Sequence, residues 1–156
     1  MVAVWLSALL IGLVCGLRAL TGPAVVCWGA HFGWLSLAGT PLGFLANPIA
    51  LVVFTVLALV ELVSDKLPKT PARTTLVPFL ARIILGCLSG AALAVAGQVS
   101  LGVGVVLGVV GAVLGTYAGY AYRHATSGSG KVPDLPVALL EDLIAIGGGL
   151  FLVSRF

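Results

Sequence analysis

Charged residues are scarce in this chain. Only 8% of its 156 residues are Asp, Glu, Lys or Arg, whereas 60% are hydrophobic. A soluble domain ordinarily has about 25% charged residues, and the mean hydropathy of +1.21 leaves no region polar enough to form one. The composition therefore predicts a single membrane-embedded domain over residues 1–156 that contacts the lipid bilayer.

Cysteine and histidine are also sparse, and neither occurs in a catalytic or metal-binding pattern. Cys15, Cys27 and Cys87 lie apart in apolar sequence, which favours packing residues over a disulfide framework. His31 and His124 have no Cys or carboxylate at metal-ligand spacing. The chain also lacks G-x-S-x-G, P-loop and H-E-x-x-H motifs. We therefore expect no enzyme activity, no catalytic residues, no metal site and no cofactor.

Long apolar runs dominate the rest of the sequence. Five of them approach or exceed the ~20 residues that cross a bilayer as a helix, and a sixth run at 24–37 has only about 14 residues. We predict an all-α polytopic membrane protein with about five transmembrane helices and a short re-entrant or interfacial segment, in which Trp28 and Trp34 suit an aromatic belt. Six spans are the alternative, if the short run crosses. The first four predicted spans cover approximately 2–20, 48–65, 78–96 and 101–122, and in the fifth, order restarts at 133–136 and the span runs to about 153.

Turn-forming residues separate these runs. Thr21-Gly22-Pro23 is expected to end the first span. Asn47-Pro48 is expected to begin the next one, since proline is tolerated in the first helical turn. The segment 97–100 predicts a tight turn. Residues 123–132, RHATSGSGKV, are rich in Gly and Ser and predict a flexible polar loop.

Basic residues are unevenly distributed between the two sides of the predicted bundle. The loops at 66–77 and 123–136 share one side, because two spans separate them, whereas the connections at 38–47 and 97–100 contain no charge. Lys and Arg near span ends are retained on the cytoplasmic side. Both basic loops are therefore predicted to be cytoplasmic, together with the N-terminus if there are five spans. This placement accounts for the net charge of +3 without a nucleic-acid partner. The two loops contain Lys66, Lys69, Arg73, Arg123 and Lys131.

Glycine recurs at four-residue spacing in three of the predicted spans. Little hydrophobic force pushes helices together in lipid, so close approach of backbones across small residues brings them into contact. This pattern predicts tight packing within the chain, with a homo-oligomer interface as the sharper alternative, and we expect a homo-oligomer formed through these faces. The repeats are Gly12/Gly16, Gly86/Gly90, Gly104/Gly108 and Gly111/Gly115/Gly119.

Several charges lie inside the apolar runs. Glu61 precedes the first basic loop by ~7–8 Å of helix and Glu141 follows the second by ~9 Å, at the helical rise of 1.5 Å per residue. Arg82 is expected at a similar depth, whereas Arg18 comes late in the first span and is expected nearer the opposite face. A charge in the hydrocarbon costs ~2.5–3.5 kcal/mol or more, so these side chains should face a partner or water.

Two interpretations of these charges remain open. In the first, Arg82 pairs with Glu61 or Glu141, and the pair locks helices together. In the second, the carboxylates line a polar path for a cation or proton. The candidate residues of such a path or lock are Glu61, Asp65, Arg82, Glu141, Asp142 and Arg18, with Lys66 and Pro68 in the adjoining loop.

Four segments have a more specific character than the apolar runs around them. They are GLRALTGP (16–23), E-x-x-x-DKLP (61–68), LARIILGCLSGAAL (80–93) and LLEDLIAIGGG (139–149). Together they resemble a family of small bacterial inner-membrane proteins classed as a domain of unknown function. The resemblance covers nearly the whole chain and implies a multi-pass protein of the bacterial inner membrane. Because the family has no established activity, the resemblance supports the fold and leaves the function open. It points to Arg18, Glu61, Asp65, Lys66, Pro68, Arg82, Glu141 and Asp142.

The interpretation that best accounts for the intramembrane carboxylates is a small transporter or channel-like protein for a cation, proton or small solute. The alternative is a non-catalytic structural or accessory subunit of a membrane assembly, in which the same charges only hold helices together. A lipid-modifying enzyme is disfavoured because the sequence contains no recognisable nucleophile and base.

The charge asymmetry between the loops predicts the orientation of the protein. In a background lacking Cys15, Cys27 and Cys87, a Ser129→Cys variant should react with a membrane-impermeant thiol reagent only from the cytoplasmic side. Labelling from the periplasmic side would contradict the predicted topology.

Overall fold

A computed structural model describes residues 2–66, 72–127 and 133–156. In these ranges the chain forms helices and no strands, and the expected all-α membrane fold is confirmed. Three helices, α4, α5 and α6, are long and apolar enough to cross a membrane, whereas α1 and α3 are shorter apolar helices. The helices are α1 (Val2–Leu17), α2 (Thr21–His31), α3 (Pro48–Ser64), α4 (Leu76–Ala96), α5 (Leu101–Thr126) and α6 (Asp134–Val153), with a 3₁₀ turn at Gly43–Ala46.

The start of α3 follows the sequence prediction. The Asn47 side-chain oxygen accepts a hydrogen bond from the Ile49 N–H at 2.8 Å, and Pro48 occupies the first turn. Both features satisfy or remove N–H groups that would otherwise lack a partner at the helix start.

Two predicted boundaries are wrong. Thr21-Gly22-Pro23 does not break a helix but forms the first turn of α2, where proline costs little. The break falls instead at residues 18–20. At the other end of the chain, residues 123–126 belong to α5 rather than to a flexible loop. Cations are favourable in the last turn of a helix, and Arg123 is held there by Asp134 at 2.6 Å.

The helices alternate in direction. The Arg18 side chain, just after α1, contacts Asp65 just after α3 and Asp142 near the start of α6. We call this end of the bundle the charged end. At the opposite end, a methyl group placed on Gly97, just after α4, would lie 2.6 Å from Val4 and 3.2 Å from Phe156. The N-terminus and C-terminus therefore lie together, away from the charged end, and the prediction that the N-terminus shares the side of the basic loops is wrong.

The short apolar run at 24–37 forms most of α2, which accounts for the change of direction. This helix starts at the charged end, and its far end packs beside Val153 at the end of α6: a methyl group on Gly29 would lie 3.0 Å from the Val153 Cβ. Its 11 residues extend about 16 Å. The run thus passes from one end of the bundle towards the other, although its length is only about half of the ~30 Å hydrocarbon core of a bilayer.

Helix α2 is at the centre of the bundle and contacts α1, α3, α4 and α6. Most of its residues are buried, from Thr21 to Cys27. The apolar core surrounds it and is formed by Ile11, Val14, Val25, Val26, Cys27, Leu35, Leu37, Leu45, Leu51, Ala92, Leu93, Ala145 and Val153.

Aromatic rings cluster where α2 ends. Trp28 and Phe32 have ring centroids 5.5 Å apart, and Phe32 and Trp34 are 5.0 Å apart. Trp28 Nε1 donates a hydrogen bond to Thr55 Oγ1 at 3.1 Å. Exposed aromatic rings at the end of a bundle are the arrangement expected of an interfacial belt.

The glycine repeats form close contacts between helices of the same chain. A methyl group on Gly12 would overlap the Gly108 carbonyl, and one on Gly86 would lie 2.7 Å from the Ala112 Cβ. Gly90 likewise packs against Gly104 and Gly108. Helices α1, α4 and α5 therefore touch backbone to backbone. Because the same glycine faces are covered within one chain, a homo-oligomer formed through them, as the sequence led us to expect, is not supported.

This packing predicts opposite effects for two glycine substitutions. Gly12→Ala should destabilise the protein by ~1–3 kcal/mol, because the added methyl group forces α1 and α5 apart. Gly147→Ala is the matched control: it lies in α6 with nothing within 4 Å of the new methyl group, so alanine should be neutral or stabilise by up to about 1 kcal/mol. Thermal unfolding in detergent measures both, and equal unfolding temperatures would refute the packing.

Candidate functional site

The charged end contains a cluster of ten ionisable side chains, which we call the charge cluster. All five acidic residues of the chain belong to it, together with five basic ones. These formal charges sum to zero. The members are Arg18, Lys66, Arg73, Arg82 and Arg123, and Glu61, Asp65, Asp134, Glu141 and Asp142.

Arg18 is at the centre of the charge cluster and is completely buried. Its Nε atom donates a hydrogen bond to Asp142 Oδ1 at 2.6 Å. Nη1 lies 2.5 Å from Asp65 Oδ2, and Nη2 lies 2.6 Å from Asp142 Oδ1 and 3.9 Å from Glu141 Oε2. The planar guanidinium thus links the end of α1 to α3 and α6, which a single-point ammonium could not do. The expectation that Arg18 lies nearer the opposite face is wrong, because α1 runs towards the charged end.

Asp65 connects Arg18 to the outer part of the charge cluster. Arg123 Nη1 donates to Asp65 Oδ2 at 2.7 Å, and the same guanidinium pairs with Asp134. Burial alone would raise the pKa of Asp65, but Arg18 and Arg123 outweigh it and hold this pKa below its ordinary value of 3.8. Because folding lowers the pKa, the pairing contributes stability above that ordinary value, and the contribution is lost as the pH falls through the lowered one.

Glu141 and Asp142 are neutralised separately. Arg73 binds Glu141 with both terminal nitrogens, and the Nη2–Oε2 distance is 3.0 Å. Glu141 is only 3% exposed. Lys66 Nζ donates to Asp142 Oδ2 at 2.6 Å and to the Leu62 carbonyl at 2.7 Å. The partner of Glu141 is therefore Arg73, a residue that the sequence placed in the loop, and not Arg82.

Glu61 serves as the missing cap of α2. This buried helix has no side-chain cap of its own, yet an unpaired N–H group in an apolar core is costly. The Glu61 carboxylate accepts the Ala19 N–H and the Leu20 N–H, each at 2.8 Å. Its negative charge also suits the positive end of the α2 dipole.

Arg82 is the most weakly paired cation of the charge cluster. Its nearest carboxylate oxygen is Glu61 Oε1, 4.0 Å from Nη2, which is too far for a hydrogen bond. Nε donates to the Gly16 carbonyl at 3.1 Å and Nη1 to the Pro78 carbonyl at 3.0 Å. Nη2 makes no hydrogen bond within the described part of the chain, although Arg82 is only 5% exposed.

A cavity of about 350 Å³ ends at this pair. We call it the α3–α4 groove. Its polar end is formed by Glu61, Asp65 and Arg82, and the rest is mainly apolar. Helix α3 packs chiefly on α2 and the 3₁₀ turn rather than on α4, so the groove opens sideways between the two helices. Glu141 does not line it. The apolar lining includes Leu57, Val60, Pro78, Ala81 and Leu85.

The described ranges contain no group of three or more His, Cys, Asp or Glu side chains arranged to hold a metal ion. The carboxylates of the charge cluster instead face guanidinium, ammonium or backbone N–H groups.

Residues 5–154 match the family model described as "Domain of unknown function (DUF4126)". The chain belongs to this family. No curated protein and no solved structure matches it. The family assignment agrees with the resemblance carried by the four sequence segments, and it brings no activity with it.

The charge cluster brings together all but one of the predicted site residues. Arg18, Glu61, Asp65, Lys66, Arg82, Glu141 and Asp142 all belong to it, whereas Pro68 lies outside the described residues, as do Lys69 and Lys131. Sequence reasoning missed Arg73, Arg123 and Asp134. The available signal was the count of charges: the chain has five carboxylates, more than Arg18, Lys66 and Arg82 can neutralise.

The pairing of Glu141 with Arg73 predicts a specific pattern of rescue. Glu141→Gln should destabilise the protein by ~3–5 kcal/mol, because it leaves the buried Arg73 guanidinium without a counter-charge. Adding Arg73→Gln should restore most of the loss. Adding Arg82→Gln instead is the control and should not help. Thermal unfolding in detergent compares the three variants, and rescue by Arg82→Gln would show that the pairing is wrong.

Proposed function

We propose that this protein is a small membrane transporter in which the Glu61–Arg82 pair, at the polar end of the α3–α4 groove, meets the transported species. The substrate class follows from the groove: a cation, a proton or a small polar solute that interacts with a carboxylate and a guanidinium. The observation that carries the proposal is the groove itself, which reaches the loosest ion pair of the charge cluster.

The different environments of the carboxylates support a division of roles. Glu141 and Asp142 are held by Arg73, Lys66 and Arg18 in a region the groove does not reach. These pairs hold helices together, as in the structural alternative. Glu61 differs, because it lines a cavity and has its guanidinium partner 4.0 Å away. Charged groups inside a membrane protein that face a cavity commonly mark a substrate path.

The packing of the bundle favours a transporter over a channel. Helices α1, α4 and α5 contact one another through glycine backbones, so the groove does not continue between them as an open pore. Movement of α3 relative to α4 is the natural way to extend the path, since α3 rests mainly on α2. Alternating exposure of a site by such relative motion is the usual mechanism of secondary transporters.

The second candidate function is a non-catalytic structural or accessory subunit of a membrane assembly. The neutral, densely paired charge cluster favours it, because four of the five carboxylates contact a cation at 3.0 Å or less. In this case the protein would move no solute, and the Glu61–Arg82 pair would only complete the cap of α2.

We also propose that the charged end faces the cytoplasm of a bacterial cell, with the protein in the inner membrane. Lys66, Arg73 and Arg123 lie at this end, whereas Arg155 is the basic residue at the other end of the described chain. Enrichment of basic residues marks the cytoplasmic side.

Flux through liposomes separates the two functions. Purified protein should dissipate an imposed proton or monovalent-cation gradient, and Glu61→Gln should abolish this flux. Asp134→Asn is the matched control: its side chain is 52% exposed, belongs to the same charge cluster and does not line the groove, so its flux should be retained. Glu61→Gln loses part of the α2 cap and should cost ~0.5–2 kcal/mol, so folding is checked by unfolding temperature in the same preparation. Wild-type liposomes as tight as empty ones under both gradients would refute the transport proposal.

A further inference from the structure

We infer that the α3–α4 groove is a binding site for a zwitterionic phospholipid with a primary ammonium head group, drawn sideways from the surrounding leaflet. Its phosphate would bind Arg82, its ammonium group would face Glu61 and Asp65, and an acyl chain would lie along the apolar part of the groove. This site goes beyond the proposed function and holds whether or not the protein carries a solute.

The first observation is that Nη2 of Arg82 has no hydrogen-bond acceptor among the described residues. Its other two nitrogens are satisfied by the Gly16 and Pro78 carbonyls, whereas Nη2 borders the groove without an acceptor. Arg82 is 5% exposed and lies about 9 Å along α4 from Leu76. Guanidinium groups bind phosphate oxygens well because their planar array of donors matches the phosphate geometry.

The second observation concerns the balance of charge. The charge cluster already sums to zero over its ten members. Among the described residues, an anionic ligand at Arg82 would add a negative charge beside Glu61 without a further cation to compensate it, and such a buried charge is expensive. A zwitterionic head group supplies the phosphate and keeps the total at zero. Its ammonium can approach Asp65, whose Oδ2 atom binds both Arg18 and Arg123 while Oδ1 makes no hydrogen bond in the described structure.

The third observation is the shape and lining of the groove. It is mostly apolar apart from its charged end and lies between α3 and α4. Its volume of about 350 Å³ is in the range of small-molecule sites, enough for a head group and the first part of a chain. Leu57 and Val60 are 42% and 57% exposed, so the acyl chain would leave the groove directly into the bilayer. A bound lipid fills the site at Glu61, and any transported solute has to compete with it.

Native mass spectrometry of delipidated protein titrated with phosphatidylethanolamine, phosphatidylglycerol or phosphatidylcholine tests the inference. Phosphatidylethanolamine should be retained most strongly, because phosphatidylglycerol has no cationic group and phosphatidylcholine has no ammonium N–H. Arg82→Gln should reduce this retention by about 10- to 100-fold, since hydrogen bonds to charged groups contribute ~1.5–3 kcal/mol. Arg155→Gln, at the opposite end of the bundle, is the control and should bind like wild type.

Arg82→Gln could lose lipid binding because it folds poorly. A second variant therefore tests the same groove without removing a charge. Ala81→Trp fills the apolar part of the groove and leaves every charge in place, so it should also reduce retention of phosphatidylethanolamine. Equal retention of the three lipids, preferential binding of phosphatidylglycerol, or wild-type binding by Ala81→Trp would each overturn the inference. Flux in liposomes is measured separately, so a transporter without lipid preference refutes the lipid site alone, and lipid binding without flux refutes the transport proposal alone.

Discussion

Ten charges at one end of an apolar bundle have to neutralise one another, and the fully buried Arg18 is at the centre of their contacts. Its guanidinium contacts Asp65 and Asp142, while their remaining charge is met by Arg123 and Lys66. A buried charge without its partner costs several kcal/mol. The ends of α1, α3, α5 and α6 are consequently held in one arrangement, although each is mostly hydrophobic and could slide against its neighbours at little cost in hydrophobic energy.

Glycine packing and the capping of α2 explain why a groove remains. Close contact through Gly12, Gly86 and Gly108 joins α1, α4 and α5. Helix α2 occupies the centre, and α3 and α6 pack around it. The buried start of α2 draws Glu61 inward from α3 to accept two N–H groups. Glu61 thereby stays 4.0 Å from Arg82. The α3–α4 groove consequently ends at an ion pair that has no direct hydrogen bond. The architecture thus leads directly to the candidate site.

Much of the fold could be predicted because hydrophobic length and helix caps are local. The apolar runs located α4 and α6 to within two residues of their observed starts and ends, and Asn47-Pro48 located the start of α3. Helix direction is not local: it depended on whether the short run at 24–37 reversed the chain. The α2 helix does so, and this moved Arg18 from the far side into the charge cluster.

The pairing of charges was the least predictable feature. Arg73 lies between α3 and α4, outside any periodic segment, and its guanidinium contacts Glu141. Nothing in the spacing of charges distinguishes Arg73 from Arg82 as the partner of Glu141. The capping role of Glu61 was hidden for a related reason. The prediction placed the first break at Thr21-Gly22-Pro23, whereas the N–H groups that need an acceptor belong to Ala19 and Leu20.

The central claim is that Arg18 holds the bundle together by the geometry of its guanidinium and not by its charge alone. Replacement by lysine tests this, because Arg18→Lys preserves the charge but offers one ammonium group in place of the fork that reaches Asp65 and Asp142 together. The measurement is the thermal unfolding midpoint of Arg18→Lys in detergent beside wild type. The account predicts a midpoint lower by on the order of 5 °C or more. An Arg18→Lys protein that unfolds at the wild-type temperature would contradict it.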